Sequence, residues 1–290
     1  MPKRPYPGRR PRPRSASPWQ GLLVSAPARQ ARKAAAFAEL HAGQPFVIPN
    51  PWDAGSARVL AALGFKALAT TSSGFAFTLG RRDGRVSLDE VVEHVAALDC
   101  ATELPLSVDL ENGYGPEPAD AARAITRAAE AGAVGGSIED YDPDGRIYER
   151  QHAAERIAAA AEAARGLGFP FVLTARAENH IRGSPDLEDT IARLQSFEQA
   201  GADVLYAPGL RSLEEIRGVC EAVTRPVNVL AVPGLLFAEL AAAGARRVSV
   251  GGSLTWVAVK ALADAASAIR DSGDFSALAT SLPLDDWLAG

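Results

Sequence analysis

Two carboxylates and a glycine-rich turn lie together in the segment DLENGYG, residues 109–115. The segment begins where the apolar run Leu106–Val108 stops, so we expect it at the end of a strand. Asp109 and Glu111 are two residues apart, and on a strand their side chains leave by the same face. The glycines that follow permit a tight turn and the close approach of a ligand. Because hard divalent cations prefer carboxylate and water oxygens, the segment is a candidate metal site; the alternative is a strand end that exposes two solvated acids.

The composition indicates a globular protein with a sizeable core. The chain has 290 residues, of which 47% are hydrophobic, so one large α/β barrel or two small domains would fit its length. No apolar run approaches the roughly 20 residues that span a bilayer. Cys100 and Cys220 are the only cysteines, and both lie in helix-like stretches. A disulfide framework is therefore not expected, and the sequence favours a cytoplasmic location.

The charge is unevenly distributed along the chain. Residues 1–20 contain six basic and no acidic residues, so subtracting this +6 from the net charge of −5 leaves −11 for the remainder. The basic segment is also rich in proline, which disfavours a stable helix or strand. We predict a disordered extension over residues 1–30 and a single domain over residues 31–290. An acidic body without a basic, aromatic-studded face argues against a nucleic-acid partner.

Eight short β-rich apolar runs alternate with helix-like stretches after residue 43. The predicted strands are Pro45–Pro49, Lys66–Thr71, Leu106–Leu110, Gly135–Glu139, Phe171–Arg176, Asp203–Ala207, Val227–Ala231 and Arg246–Val250. The clearest helical stretches are Ala119–Ala131, His152–Leu167, Leu187–Ala200, Ser212–Ala222 and Phe237–Ala243. Several of the helix-like runs are followed by a glycine that suits a left-handed helix end: Gly64, Gly132, Gly201 and Gly244. This alternation predicts an α/β fold of the (β/α)8 TIM-barrel type; the alternative is an open doubly wound sheet, although no GxGxxG follows the first strand.

A barrel places its active site at the carboxyl ends of its strands. The polar residues predicted there include Trp52, Thr71, Ser72, Ser73, Asp109, Glu111, Glu139, Arg176, Asn179 and His180. Closely spaced acids need a cation between them, and an arginine can grip a carboxylate with two parallel hydrogen bonds. Trp52 and Asn179 are candidates for substrate binding, and His180 is a candidate for proton transfer. The pattern describes a site for a small dianion bound to a metal.

The order of several motifs resembles the phosphoenolpyruvate mutase/isocitrate lyase superfamily, from about Ala34 to about Ala268. These motifs are NPWDAGSARVLAALGFKALATTSSG, LGRRDG, VDLENGYG, SIEDYD and TARAEN. The resemblance implies a barrel that often swaps its eighth helix between subunits of a homodimer or homotetramer. It also implies that C–C or P–C bonds beside a 2-oxo acid are made or broken through a magnesium-bound enolate, with Mn²⁺ as an alternative ion.

By the same resemblance, Asp109 matches the principal metal-binding aspartate, while Glu111 and Glu139 match acids that hold the ion, partly through water. Arg176 matches the arginine that clamps the substrate. Asp83, in LGRRDG, falls on an aspartate of a mobile segment that acts near the reacting bond. Thr71, Ser72 and Ser73 fall where the family cradles the substrate carboxylate and the enolate oxygen.

The loop after the fourth strand departs from the family's better-known members. It reads DYDPDGRIYERQH and lacks the Lys-Lys-Cys-Gly-His motif of the isocitrate-type lyases. It is also shorter and more acidic than the loop that binds a phosphonate. We therefore expect a magnesium-dependent enzyme of a mutase-like branch without the lyase cysteine, acting on a small 2-oxo or 2-hydroxy carboxylate. The alternatives are a metal-dependent aldolase of another barrel family and a catalytically silent barrel that binds ligands or supports assembly.

Overall fold

Eight short parallel strands form one sheet in the computed structural model, which describes residues 26–288. They are β1 (Phe46–Ile48), β2 (Leu68–Ala69), β3 (Leu106–Asp109), β4 (Gly135–Glu139), β7 (Val172–Arg176), β8 (Val204–Tyr206), β9 (Val227–Leu230) and β10 (Arg247–Ser249). A two-stranded hairpin, β5 (Tyr141–Asp142) and β6 (Arg146–Ile147), follows β4. Each of the eight predicted strand runs contains one strand of the sheet.

Helices connect the strands and cover the outside of the sheet. They are α1 (Ala26–Ala42), α2 (Ala54–Ala62), α3 (Ser72–Thr78), α4 (Leu88–Ala101), α5 (Pro118–Glu130), α6 (Arg150–Arg165), α7 (Leu187–Gln199), α8 (Leu213–Ala222), α9 (Phe237–Ala242), α10 (Ser253–Ser272) and α11 (Leu284–Leu288). The four glycines predicted to follow helix ends, at positions 64, 132, 201 and 244, all have positive φ. The helix-to-strand junctions therefore form as the sequence predicts.

The strand order β1-β10-β9-β8-β7-β4-β3-β2 brings the first two strands to the two edges of the sheet. The backbone N–H of Ala69 donates to Pro49 O at 3.1 Å and joins these edges. Asn50 reinforces the junction, since its Nδ2 donates to Thr70 O and its Oδ1 accepts from Val250 N, both at 2.9 Å. The sheet thus closes into a (β/α)8 barrel, as predicted, and is not an open sheet.

Helix α1 packs across the amino-terminal end of the barrel. Ala34 and Phe37 are fully buried there against Val134 and Val204. Lys33 Nζ lies 2.6 Å from Asp99 Oδ1 and anchors the helix to α4. Because α1 begins at Ala26, the last five residues of the predicted disordered extension are helical, and the rest of that extension lies outside the described residues.

Helix α10 carries a strongly exposed apolar surface. Trp256, Val257 and Leu262 are exposed, and Thr255 is its one buried residue in the described single chain. None of the helices formed by residues 26–288 is both long and apolar enough to cross a membrane.

Candidate active site

A cavity of about 240 Å³ occupies the centre of the barrel and opens at the carboxyl ends of the strands. Thr71, Ser72, Ser73, Asp83, Asp109 and Arg176 line it. An adjoining cavity of about 260 Å³ shares Ser72, Asp83 and Arg176 and adds Glu111 and Glu139. The structure therefore brings together eight of the residues that the sequence predicts for the site.

Arg176, the last residue of β7, lies among three carboxylates. Its Nη1 is 3.1 Å from Asp109 Oδ1, and its Nη2 is 3.2 Å from Glu139 Oε2 and 2.7 Å from Glu178 Oε1. Burial alone would lower the pKa of the guanidinium, but these acids outweigh burial and raise it well above its ordinary value. Arg176 is thus a fixed cation whose charge is offset by the protein's own acids.

Glu178 and Arg182 extend this network, and neither is assigned a role from the sequence. Glu178 is 1% exposed and accepts from Arg176 Nε at 3.0 Å and from Arg182 Nε at 3.0 Å. The Arg182 guanidinium carbon lies 3.9 Å from the centroid of the Tyr141 ring, and Arg182 lines both cavities. Glu178 lies two residues after Arg176, and this spacing could have indicated that it belongs to the site. Arg182 lies further along the loop, whose path cannot be predicted from spacing.

Asp109 and Glu111 do not share a strand face as the sequence analysis expected. Strand β3 ends at Asp109, and Glu111 has a φ of 48°, in the left-handed region. The backbone N–H of Glu111 donates to Asp109 Oδ1 at 3.2 Å, so a tight turn, rather than strand alternation, brings the two acids together. Burial first, then the charges of Asp109 and Asp83, raise the pKa of Glu111 to about 8.

Asp83 lies in the turn between α3 and α4 and lines both cavities. The residue as a whole is exposed to solvent, while its carboxyl lies near Ser72 and Asp109. Loss of hydration, followed by the negative charge of Asp109, raises the pKa of its carboxyl, while a hydrogen bond from Ser72 opposes the rise. A carboxyl with a raised pKa at the rim of a cavity is suited to proton transfer.

The Thr71–Ser73 segment forms a polar edge beside these acids. Thr71 caps α3, and its Oγ1 lies 3.2 Å from Ser73 Oγ. The Ser72 backbone N–H points toward Asp109 Oδ2 at 3.4 Å. Gly252 lies opposite, where a Cβ atom would come within 2.6 Å of Ser73 Oγ, so glycine keeps this edge open to a small ligand.

Three predicted site residues do not line either of these cavities. Trp52 lies instead beside Phe77 and Thr255, at the base of α10. Asn179 is buried and its Nδ2 donates to Thr190 Oγ1 at 2.8 Å, which supports the loop before α7. His180 turns toward α8, with its Nε2 3.6 Å from Glu215 Oε1.

The acids of the site are suitable ligands for a divalent cation, but their side chains do not form a complete coordination site. Within residues 26–288, no three Asp, Glu, His or Cys side chains converge closely enough to hold an ion. Asp109 and Glu139 pair with Arg176 instead. Burial and neighbouring acids nevertheless raise the pKa values of Glu111 and Glu139, and a cation would relieve this crowding of hard oxygen donors.

The chain is similar in sequence and in structure to proteins of one enzyme family. The model of the phosphoenolpyruvate phosphomutase family matches residues 37–270. The chain is 32% identical over 237 residues to an oxaloacetate decarboxylase of Paraburkholderia xenovorans LB400, which covers 78% of this chain and 77% of that protein. A crystal structure from Burkholderia cenocepacia J2315, provisionally assigned as a lyase/mutase, is 52% identical with a TM-score of 0.88, over 90% of this chain and 98% of that one. Oxaloacetate acetylhydrolase in complex with its product oxalate is 26% identical with a TM-score of 0.80, over 89% of this chain and 94% of that one.

Proposed function

Since the chain belongs to the phosphoenolpyruvate mutase/isocitrate lyase superfamily, we propose that it is a magnesium-dependent lyase acting on a small 2-oxo or 2-hydroxy carboxylate. The bond that breaks is a C–C bond next to the oxo or hydroxyl carbon. The observation that carries this proposal is the position of Asp83, a carboxyl with a raised pKa, in one cavity with Arg176 and the Thr71–Ser73 edge. The reducing cytoplasm is its proposed location.

The segment after β4 favours C–C chemistry over the P–C chemistry of the mutases. It forms the β5–β6 hairpin, which carries Asp142 at the end of β5 and Asp144 in its turn. The hairpin lines the adjoining cavity with Tyr141 and Pro143, so among the described residues it offers a phosphonate no cation there. The named activities of the oxaloacetate decarboxylase and oxaloacetate acetylhydrolase relatives point in the same direction.

Asp109, Glu111 and Glu139 would hold the divalent metal that the superfamily uses, for which we propose Mg²⁺ or Mn²⁺, and the ion would supply Lewis-acid stabilisation of developing negative charge. Arg176 orients the substrate carboxylate, while hydroxyl and N–H groups of the Thr71–Ser73 edge donate to its oxygens. In a 2-oxo substrate, the broken C–C bond releases CO2 and leaves its electron pair on the remaining fragment as an enolate. In a 2-hydroxy substrate, the carboxylate form of Asp83 takes the hydroxyl proton, the hydroxyl carbon leaves as the oxo fragment, and the electron pair stays on the other fragment as an enolate. Asp83 then delivers a proton to the enolate carbon, and its pKa, raised above the ordinary value by burial and by Asp109, favours the protonated carboxyl that this step needs.

A substrate panel with a cysteine-free variant tests the reaction class. Neither Cys100 on α4 nor Cys220 on α8 lines the two site cavities, so Cys100→Ser/Cys220→Ser should keep turnover within about twofold of the wild type, the scale of a surface substitution. Oxaloacetate or a substituted malate should be the best substrate in assays that also include isocitrate, methylisocitrate and phosphonopyruvate. Isocitrate as the best substrate, or a folded but inactive cysteine-free protein, would refute the mechanism. Turnover of none of these acids would favour a silent, ligand-binding barrel.

Metal binding should release a proton from Glu111. Its pKa is about 8 without a cation, so at pH 7 most molecules hold a proton that the metal must displace. Affinity should rise by up to about tenfold per pH unit below 8 and level off above it, because the carboxylate is then already ionised. Calorimetry at pH 7 in buffers of different ionisation enthalpy should give about one proton fewer for Glu111→Gln than for the wild type. An equal proton count in both proteins would contradict this assignment.

We propose that the enzyme is a homodimer or homotetramer assembled through α10. Leu262 is 68% exposed on this helix, among Trp256 and Val257. Leu262→Glu would place a charge in the apolar interface and should shift the protein toward monomer in light scattering. Leu63→Glu is the matched control, since Leu63 is 60% exposed at the end of α2. A mass unaffected by Leu262→Glu would exclude this helix from the interface.

A further inference from the structure

Arg247 lies at the floor of the central cavity, below the layer that contains Arg176. It is the first residue of β10, is 5% exposed and lines the cavity together with Ser107, Asn228 and Ser249. Its Nη2 donates to Thr174 Oγ1 at 2.9 Å. Because Thr174 and Arg176 are two residues apart on β7, Arg247 reaches a layer about 6–7 Å beneath Arg176 along the strand.

The acceptors that surround Arg247 are all neutral. Besides Thr174, its Nε donates to Asn228 Oδ1 at 2.8 Å and its Nη1 lies 3.2 Å from His41 Nε2. His41 Nδ1 is 2.8 Å from Phe37 O, which can only accept, so the imidazole proton sits on Nδ1 and Nε2 accepts from Arg247. Burial and then the charge of Arg247 lower the pKa of His41 to about 3, which keeps this ring neutral.

The positive charge of Arg247 therefore has no counter-ion among the described side chains that contact it. Arg176, in the layer above, has three carboxylates within 3.2 Å. A buried charge without a partner is costly, and burial lowers the pKa of Arg247 to about 10, which still leaves it charged at neutral pH. An anion in the cavity would supply the missing charge, and the polar walls at Ser107, Asn228 and Ser249 suit its oxygens.

We propose that the floor of the cavity is a second anion subsite, in which Arg247 binds a small oxyanion. The oxyanion is either the distal carboxylate of an elongated substrate or a free inorganic anion. The first source rests on the proposed function, since the other end of that substrate must be held near Arg176. The second source is independent of it.

Binding measurements on wild type, Arg247→Gln and Arg246→Gln test the subsite. Arg246 is the matched control: it precedes Arg247, its Nη1 donates outside the barrel to Gly43 O, and its loss changes the net charge equally. With magnesium present, the probes are oxalate, which is too short to reach the floor, and 2-oxoadipate, which has a distal carboxylate. Sulfate alone, followed by thermal stabilisation, probes the free-anion source.

Arg247→Gln should weaken the binding of 2-oxoadipate by about tenfold or more, which is the effect of losing a charged hydrogen bond. The binding of oxalate should weaken by less than twofold. That result identifies the distal carboxylate as the source. Loss of sulfate stabilisation alone identifies a free anion, and this arm remains informative even if oxalate does not bind at all. Equal binding of all three probes to folded Arg247→Gln, Arg246→Gln and wild type would overturn the subsite.

If Arg247→Gln does not fold, a measurement on the wild type can still test whether an anion binds at the cavity floor. Crystals of the wild-type protein soaked in selenate should show an anomalous selenium peak in hydrogen-bond contact with the Arg247 guanidinium. Selenate density elsewhere on the protein, with none at the cavity floor, would overturn the proposal.

Discussion

Asp109→Asn should abolish magnesium binding and leave the barrel folded. Asn keeps the oxygen that accepts from Glu111 N and Arg176 Nη1, and Arg176 retains Glu139 and Glu178 as partners. The substitution therefore removes a charged donor without leaving a buried cation unpaired. Turnover should fall by roughly 10³-fold or more, because a catalytic metal stabilises the transition state by several kcal/mol. Calorimetry with Mg²⁺, together with the melting temperature, measures both parts of the expectation.

Asp53→Asn is a suitable control for this variant. Asp53 caps α2 by accepting from Ser56 N at 2.7 Å, and asparagine caps a helix about as well as aspartate. The control removes an acid that follows β1 without touching the cavity walls. If Asp109→Asn binds Mg²⁺ with the affinity of the control, the metal assignment fails.

Asp83→Ala should reduce turnover by about 10²- to 10⁴-fold, the range for loss of a general acid or base. The affinity for Mg²⁺ should change little. Arg176 pairs with Asp109 and Glu139, whereas Asp83 forms no ion pair with an arginine among residues 26–288 and is not one of the three acids proposed to hold the metal. Asp83→Ala also removes the hydrogen bonds that Asp83 accepts from Ser72 and Gly84, so the melting temperature should be measured beside the rate. Steady-state rates and calorimetry on the same preparation separate the two effects.

Asp144→Ala is the matched control, since Asp144 is an exposed acid in the nearby β5–β6 turn. It should retain nearly full turnover. Equal activity of Asp83→Ala and Asp144→Ala would show that Asp83 takes no part in the reaction. A large loss of magnesium affinity in Asp83→Ala would instead make it a metal ligand.

Local patterns account for most of what the sequence predicts correctly. Strand length, helical periodicity and the glycines at helix ends depend on neighbouring residues, so β3, β4 and α5 appear within a few residues of their predicted bounds. Because barrel active sites lie at the carboxyl ends of the strands, Asp109, Glu139 and Arg176 can be assigned to the site from strand positions alone.

What the sequence does not predict depends on the path of the chain between distant elements. The packing of helix α1 on the end of the barrel is not predicted, because its contacts are with distant residues such as Val134 and Val204. The positive φ of Glu111 breaks the two-residue alternation on which the shared-face prediction depended. His180 follows a site strand, yet the turn after Glu178 directs it toward α8.

The junction between β1 and β2 has a consequence for motion in the molecule. Seven neighbouring strand pairs of the barrel have a registered ladder, whereas the described β1–β2 contact depends on one backbone hydrogen bond and the Asn50 side chain. Local opening requires the fewest broken bonds there, so the Ala69 amide should exchange its hydrogen with solvent faster than strand amides elsewhere in the barrel. Thr71–Ser73 follow directly and line the central cavity, so local opening of this junction would displace that polar edge of the cavity.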